Sequence, residues 1–198
     1  MKKETRTNIK GRIARILFND PSGALTKYRI AKSAGSGYTW VHSLLKKLQE
    51  QGIIENTKVK NFTSLMDWWR RWQPVPKYRA YMIQRPLDVL QETNLEYALT
   101  TYQAENKTQN YLFPSRTDLY VHPKDRRAWH DLLMQNGLVG QGNVRILFGD
   151  DHVFYKSFEV DGFRLVSVPQ IILDLYSEGN VGIEAADMLL EKVGRDAI

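Results

Sequence analysis

The sequence predicts an α+β protein in which a helical N-terminal region precedes a larger region that mixes strands and helices. Three observations support this prediction. In residues 9–52, apolar residues recur at the spacing of helices. After residue 85, strand-like and helix-like segments alternate. The net charge changes sign between the two regions. Residues 1–86 hold 18 Lys/Arg and 5 Asp/Glu, whereas residues 87–198 hold 10 Lys/Arg and 17 Asp/Glu. This asymmetry favours a polyanion-binding region joined to an acidic one.

Bulk composition narrows the class of protein. The 198 residues suffice for two small domains, and 42% hydrophobic with 25% charged residues is ordinary for a globular protein. No apolar run approaches the roughly 20 residues that span a bilayer, and no apolar segment follows the basic N-terminus, so we expect neither a membrane partner nor a secretory signal. The absence of cysteine excludes disulfides, thiolate zinc sites and cysteine nucleophiles, and it favours a cytoplasmic protein.

The first two predicted helices are short and separated by turn residues. In "NIKGRIARILF", Ile9, Ile13 and Ile16 recur at helical spacing, and "NDPSG" follows as a turn. The second helix lies in "LTKYRIAKSAG". Thr26 is a candidate N-cap, because its hydroxyl can accept from the free N–H groups of the first turn, and Gly35 suits the position after the last turn.

A third helix is predicted over residues 36–52, "SGYTWVHSLLKKLQEQG". Its buried stripe consists of Val41, Leu44, Leu45 and Leu48. Gly52 ends the helix, and a strand begins at Ile53. This strand carries Lys58 and Lys60 outward.

The order helix, helix, tight turn, helix, strand resembles a winged helix–turn–helix over residues 9–60. The resemblance implies that residues 36–52 form a recognition helix, although a solvated helix face is the alternative. Tyr38 and Trp40 either pack beneath this helix or touch DNA. The polar and basic residues that we expect to face DNA in this N-terminal segment are Lys27, Arg29, Ser36, Thr39, His42, Ser43, Lys46, Lys47, Lys58 and Lys60.

Residues 61–77, "NFTSLMDWWRRWQPVPK", combine tryptophans with arginines. Helical spacing over 61–73 favours a helical insertion inside the wing or just after its first strand, and "KYRAYMI" alternates like the returning strand of the wing. Arg70 and Arg71 can add phosphate contacts, while the tryptophans form either a protein interface or a buried contact with the neighbouring domain. The predicted first domain therefore covers residues 1–84.

The second predicted domain covers residues 85–198 and has the size of one domain. Pro86 suits the first turn of a helix. Strand-like "EYALTTY", helical "QAENKTQNYL", strand-like "TDLYVH" and helical "PKDRRAWHDLLMQNG" then alternate. Three strands, "NVRILF", "HVFYKSFEV" and "FRLVSV", are expected to be separated by turns at "GDD" and "DG". Two amphipathic helices, in "PQIILDLYSEGN" and "GIEAADMLLEKVG", end the chain.

The strand–helix–strand arrangement around Asp118 resembles the nucleotidyltransferase fold. Active members follow a Gly-Ser turn with two carboxylates at alternate strand positions, because side chains at i and i+2 share one face and together ligate divalent cations. Here Asp118 stands at the first position, but Tyr120 stands at the second. "TTYQ", residues 100–103, replaces the Gly-Ser turn. We therefore expect a nucleotidyltransferase-like α/β domain with a degenerate site, no catalytic residues, no metal and no cofactor.

Together, the two halves resemble the AbiEi-like antitoxins and related regulators of type IV toxin–antitoxin systems. The likeness lies in "TDLYVHPKD", "VRILFGDDHVFY" and "RLVSVPQIILDLYSEGNVGIEAADMLLE". It implies a repressor of its own operon that binds double-stranded DNA at promoter or operator repeats, as a monomer or homodimer. The family's toxin is a nucleotidyltransferase, which implies a cognate toxin of that kind as a direct or indirect partner.

Two alternatives stay open on the sequence alone. In one, the chain is an active nucleotidyltransferase that uses Asp118 as a metal ligand and docks nucleic acid with its N-terminal domain. In the other, the tryptophan-rich segment and the acidic domain form a protein-binding scaffold. The four histidines lack paired metal-ligand spacing, and Walker or GxGxxG loops are absent from the sequence.

Overall fold

A computed structural model describes residues 6–196 of the chain, which form an α+β fold in two compact units. The first unit comprises the residues up to Pro74 together with those from Leu190 onward. The second comprises Val75–Leu189. The division falls ten residues before the predicted boundary after residue 84, because the strand Lys77–Ile83 belongs to the sheet of the second unit.

The first unit begins with the three predicted helices: α1 (Arg6–Asn19), α2 (Lys27–Ser33) and α3 (Tyr38–Glu50). The predicted cap is confirmed, since the Thr26 hydroxyl accepts from the Arg29 N–H at 3.2 Å. Gly35, at φ 67°, closes α2 as predicted, because this left-handed conformation suits glycine.

A short hairpin and a fourth helix complete this part of the first unit. Strands β1 (Ile54–Glu55) and β2 (Lys58–Val59) pair antiparallel around a two-residue loop, and α4 (Phe62–Arg70) follows. The predicted helix over residues 61–73 therefore exists, but it comes after both strands of the hairpin. It is not an insertion within them, and the returning strand is β2, not "KYRAYMI".

The tryptophans of α4 and the residues after it have different surroundings. Trp69 is fully buried within the first unit, where its ring lies 5.8 Å from that of Phe18 in α1. Arg15 of α1 lies over the Trp69 ring at 5.3 Å. Trp72 is 39% exposed.

The second unit is built on a seven-stranded mixed sheet. Its strands are β3 (Lys77–Ile83), β4 (Tyr97–Thr100), β5 (Thr117–Val121), β6 (Gly137–Val139), β7 (Val144–Phe148), β8 (Phe158–Val160) and β9 (Phe163–Leu165). They lie in the order β6-β3-β7-β5-β4-β9-β8, with β5–β7 and β4–β9 parallel and the other pairs antiparallel. Every residue of β4 and β5 is buried, so the core of this unit surrounds the middle of the sheet.

The remaining helices follow the strands. They are α5 (Pro86–Glu92), α6 (Thr101–Gln109), α7 (Arg126–Gln135), α8 (Val168–Glu178) and α9 (Asn180–Asp196). Short 3-10 helices occupy Pro123–Asp125 and Asp151–Phe154. Across residues 6–196, every helix is too short or too polar to cross a bilayer.

Several local predictions in the second unit need correction. The segment "HVFYKSFEV" was expected to be one strand, but its first half is the 3-10 helix and only β8 is extended. "GDD" is not a hairpin turn, because β7 and β8 are not neighbours in the sheet. The "DG" turn is confirmed: Asp161 and Gly162, at φ 50° and 76°, join β8 to β9. The sequence did not predict β6.

The contrast between Trp69 and Trp72 leads to a stability prediction. We expect Trp69→Ala to lower the free energy of unfolding by about 3–5 kcal/mol, because it removes a fully buried indole. Trp72→Ala is the matched control and should cost about 1 kcal/mol, since it removes a partly exposed ring and its contact with the Lys10 ammonium. Urea unfolding followed by circular dichroism measures both, and equal costs would contradict the assigned burial.

Candidate functional site

The outward face of α3 is the first candidate site. The inward positions Val41, Leu45 and Leu48 are buried, while Leu44 is only half-buried. Because a helix turns 100° per residue, the residues between these positions point away from the core. The side chains of this face that lie exposed to solvent are Thr39, His42, Ser43 and Lys46. With Lys47 on a flank, they are the predicted DNA-facing residues of the helix, whereas Ser36 is half-buried and precedes it.

Little in the protein competes for this outward face. Lys46 forms an ion pair with Glu50 at 3.9 Å, but the two side chains are 70% and 62% exposed. Such a pair contributes at most about 1 kcal/mol, so the ammonium is readily available to another anion. Tyr38 is 49% exposed, with its ring 5.8 Å from that of His42, whereas Trp40 is half-buried. Tyr38 therefore belongs to the surface and not to the core beneath α3.

Lys47 lies on a flank of α3, beside α1. Burial lowers the pKa of Lys10, and the neighbouring charge of Lys47 lowers it further. The Lys10 ammonium also lies 3.0 Å from the centre of the Trp72 ring. These contacts place Lys47 close to the start of α1, whereas Ser43 and Lys46 occupy the middle of the outward face.

The other predicted cations lie on several elements of the first unit. Arg29, Lys58 and Arg71 are exposed, and Lys27 is half-buried. Like Lys46, two of these other cations have acidic neighbours. Lys60 pairs with Glu55 at 3.3 Å and Arg70 pairs with Asp67 at 3.5 Å.

The hairpin that carries Lys58 is tied to the turn after α1. The Val59 N–H donates to the Pro21 carbonyl at 2.9 Å, and the Thr57 hydroxyl donates to the Gly23 carbonyl at 3.1 Å. A Cβ atom at Gly23 would lie 2.8 Å from the backbone nitrogen of Lys58, and Gly23 has φ 80°. This close approach therefore requires glycine. The hairpin is thereby held beside α2 and α3.

Asp118 lies at the centre of the second candidate site. Its carboxylate is fully buried and accepts five hydrogen bonds. Arg116 donates to both oxygens at 2.7 and 2.8 Å, Arg145 donates to both at 2.8 Å, and the Thr101 hydroxyl donates at 2.6 Å. The parallel pairing of β5 with β7 sets Arg145 directly opposite Asp118.

Glu178 completes an ion cluster with these residues. Its two carboxylate oxygens each accept from one guanidinium, at 2.6 Å from Arg116 and 2.6 Å from Arg145. Burial opposes the charge of Asp118, but the hydrogen bonds from Arg145, Arg116 and Thr101 outweigh it, so the pKa of Asp118 lies below its usual 3.8. Burial likewise opposes the charge of Arg145, but its bonds to Asp118 and Glu178 raise its pKa.

This arrangement leaves Asp118 poorly suited to bind a metal ion. A carboxylate offers about four lone-pair sites, and five donors already occupy them. Among residues 6–196, His, Asp and Glu side chains nowhere gather in a group of three that could hold a metal ion. The cluster can hold β5, β7 and α8 together through charge-assisted hydrogen bonds.

Tyr120 shares a strand face with Asp118 but contacts a different acid. Its hydroxyl donates to Asp174 at 3.1 Å. Asp174 also accepts from the Thr100 hydroxyl at 2.6 Å and from the Gln170 amide at 2.8 Å. Tyr120 is therefore part of a buried hydrogen-bond network.

Sequence reasoning missed the partners of Asp118. Arg116 stands two residues before Asp118, and alternation along an extended segment was a usable signal for their contact. Arg145 and Glu178 lie 27 and 60 residues from Asp118 in the sequence, and no local pattern links either of them to it.

Removing the central charge should destabilise the second unit. We expect Asp118→Asn to lower the free energy of unfolding by about 3–5 kcal/mol, because it leaves two half-buried guanidiniums with a single carboxylate. The matched control is Asp161→Asn, at a side chain that is 76% exposed, which should cost less than about 1 kcal/mol.

The effect of Asp118→Asn should also depend on pH. Because the pKa of Asp118 is lowered on folding, its carboxylate stabilises the fold above pH 3.8, and that stabilisation is lost as the pH falls through the folded-state pKa. Urea titrations at several pH values should show a full difference between wild type and Asp118→Asn at pH 7 and a shrinking one below pH 3.8. A difference that stays constant down to pH 2 would contradict the ion cluster.

Comparisons of the chain with models of known protein families, with curated proteins and with solved structures found no significant match.

Proposed function

We propose that this chain is a DNA-binding transcriptional regulator, with a winged helix–turn–helix in its first unit and α3 as the recognition helix. The observation that carries the proposal is the outward face of α3, where Thr39, Ser43 and Lys46 are exposed opposite a buried stripe. Hydroxyl and ammonium groups donate to both phosphates and base edges. The 13 residues of α3 span about 20 Å, and the major groove of DNA admits a helix of this kind.

The charge of the first unit supports the same proposal. The residues from 6 to 74 and from 190 to 196 hold 15 Lys/Arg and 6 Asp/Glu. Arg29 and Lys58 are exposed on α2 and on the hairpin, the two elements beside α3. A protein that binds a duplex through one helix needs such cations at the groove edges, because phosphate contacts supply most of the non-specific affinity.

We further propose that the chain is an autorepressing antitoxin of the AbiEi-like kind, acting in the cytoplasm on operator repeats near its own promoter. Its second unit then has a nucleotidyltransferase-like fold that does not transfer nucleotides, and its cognate toxin is a separate nucleotidyltransferase. The sequence resemblance supports the family, and the five donors on Asp118 support the loss of chemistry. Repression of a reporter fused to the DNA upstream of the gene, together with growth rescue on co-expression with a neighbouring toxin gene, tests this part.

Salt dependence and one charge reversal test the DNA-binding proposal. We expect the wild-type chain to bind the DNA immediately upstream of its gene with a log–log salt slope near −0.9 per neutralised phosphate. Lys46→Glu should weaken this binding at least 100-fold, because it places an anion on the face that meets the duplex. Fluorescence anisotropy with a labelled duplex measures both effects.

Lys124→Glu is the charge-matched control, since Lys124 is an exposed lysine of the second unit. It should bind DNA like the wild type. Equal affinities for the wild type and Lys46→Glu, with both proteins folded by circular dichroism, would show that α3 is not the recognition helix. A chain that ignores DNA and co-purifies with a protein partner would favour the scaffold alternative.

The enzyme alternative has its own test. We expect no transfer of labelled nucleotide to protein or nucleic acid in the presence of Mg²⁺, because the oxygens of Asp118 are already occupied by donors. The assay compares the wild type with Glu178→Gln, which loosens the arginines but retains Asp118. Wild-type transfer that disappears in Asp118→Asn would establish nucleotidyltransferase activity and overturn the proposal of a degenerate site.

A further inference from the structure

We infer that an open groove beside the start of α3 binds the sugar–phosphate backbone of duplex DNA, with Tyr28 and Tyr38 as the residues that hold it. The inference rests on the proposed function and adds a site to it. The sequence did not predict DNA contact for Tyr28, and for Tyr38 it left open whether the ring packs beneath α3 or touches DNA. The groove would position α3 in the major groove without reading bases itself.

The groove lies where α2, α3 and the hairpin meet within the first unit. It has a volume of about 330 Å³ and is lined by residues 23–28, Tyr38, Asn56 and Thr57. Tyr28 is 65% exposed and Tyr38 is 49% exposed. Large aromatic side chains are usually more buried than this, so two of them on one groove indicate a surface made for contact.

The groove offers hydrogen-bond donors that suit a phosphodiester. The Lys27 ammonium, the Asn56 amide and the two tyrosine hydroxyls can all donate, and none of the lining residues is acidic. A phosphodiester carries one negative charge and only accepts hydrogen bonds. The groove has one cation and no anion. This charge matches the negative charge of a phosphate, whereas a nucleobase is uncharged, so the groove favours phosphate.

Its location links the groove to recognition by α3. Tyr38 is the first residue of α3, and its ring lies 5.8 Å from His42, one turn further along the same helix. Asn56 lines the same groove from the hairpin, and its N–H donates to the Gln49 side chain of α3 at 2.9 Å. A phosphate bound in the groove therefore fixes the start of α3 relative to one DNA strand.

Removal of single hydroxyl groups tests the inference. Tyr28→Phe and Tyr38→Phe keep the rings and delete only the donors, and each should weaken binding to the upstream duplex about tenfold. The salt slope should stay unchanged in both, because no charge is lost, whereas Lys27→Gln should reduce the slope by about 0.9. Tyr78→Phe, at a 56% exposed tyrosine of the second unit, is the matched control and should bind like the wild type.

Ethylation interference identifies the group that is contacted. Ethylation of phosphates in the upstream duplex should impair binding of the wild type at a defined position, and the double variant Tyr28→Phe/Tyr38→Phe should lose sensitivity at that phosphate alone. Wild-type affinity of both single variants, or weakened binding with the full wild-type interference pattern, would overturn the inference while leaving the proposed function intact. Failure of the wild-type chain to bind the duplex would overturn both.

Discussion

The buried carboxylate of Asp118 is the interaction on which the second unit depends. It lies in the middle of a seven-stranded sheet and receives hydrogen bonds from two arginines and a threonine. An isolated charge in such a place would be very costly, so the retained Asp118 carboxylate depends on its two arginines. The same hydrogen bonds that stabilise the Asp118 carboxylate also occupy its lone pairs. The carboxylate that the sequence resemblance assigns to a cation site thus contributes to the stability of the sheet, and the polar groups around it bond to one another.

The arginines of the Asp118 cluster and the cations beside α3 differ in their solvent exposure and in their ion pairs. In the second unit, Arg116 and Arg145 are mostly buried, and each is bound to two carboxylates. In the first unit, Arg29 and Lys58 lie exposed, and the ion pair of Lys46 is open to solvent. An external anion competes with water for the exposed cations, but with short, buried hydrogen bonds for the others. The exposed cations beside α3 support the proposal that a polyanionic ligand binds the first unit.

The parts of the fold that the sequence predicted are those set by neighbours along the chain. The cap at Thr26, the left-handed Gly35 and the turn at Asp161–Gly162 each depend on a few adjacent residues. The predicted first domain wrongly includes the strand Lys77–Ile83. Its partners β6 and β7 lie more than 50 residues further along the chain, and no local sequence pattern predicts this pairing. The exposed residues of α3 followed from helical periodicity. The partners of Asp118 and the groove at Tyr28 depend on tertiary contacts, which one sequence does not reveal.

Helical periodicity also explains why α3 is suited to carry specificity. Val41, Leu45 and Leu48 hold the helix against the first unit, whereas Thr39 and Ser43 lie on the opposite face and have no role in that packing. Surface substitutions of this kind usually change the free energy of unfolding by less than about 0.5 kcal/mol. Under the proposed function, the outward face can therefore vary with the DNA sequence while the fold is retained. The Asp118 cluster has less freedom, because removal of Arg116 or Arg145 deprives a fully buried carboxylate of a charged partner. Adaptation to a ligand is physically easiest on the outward face of α3.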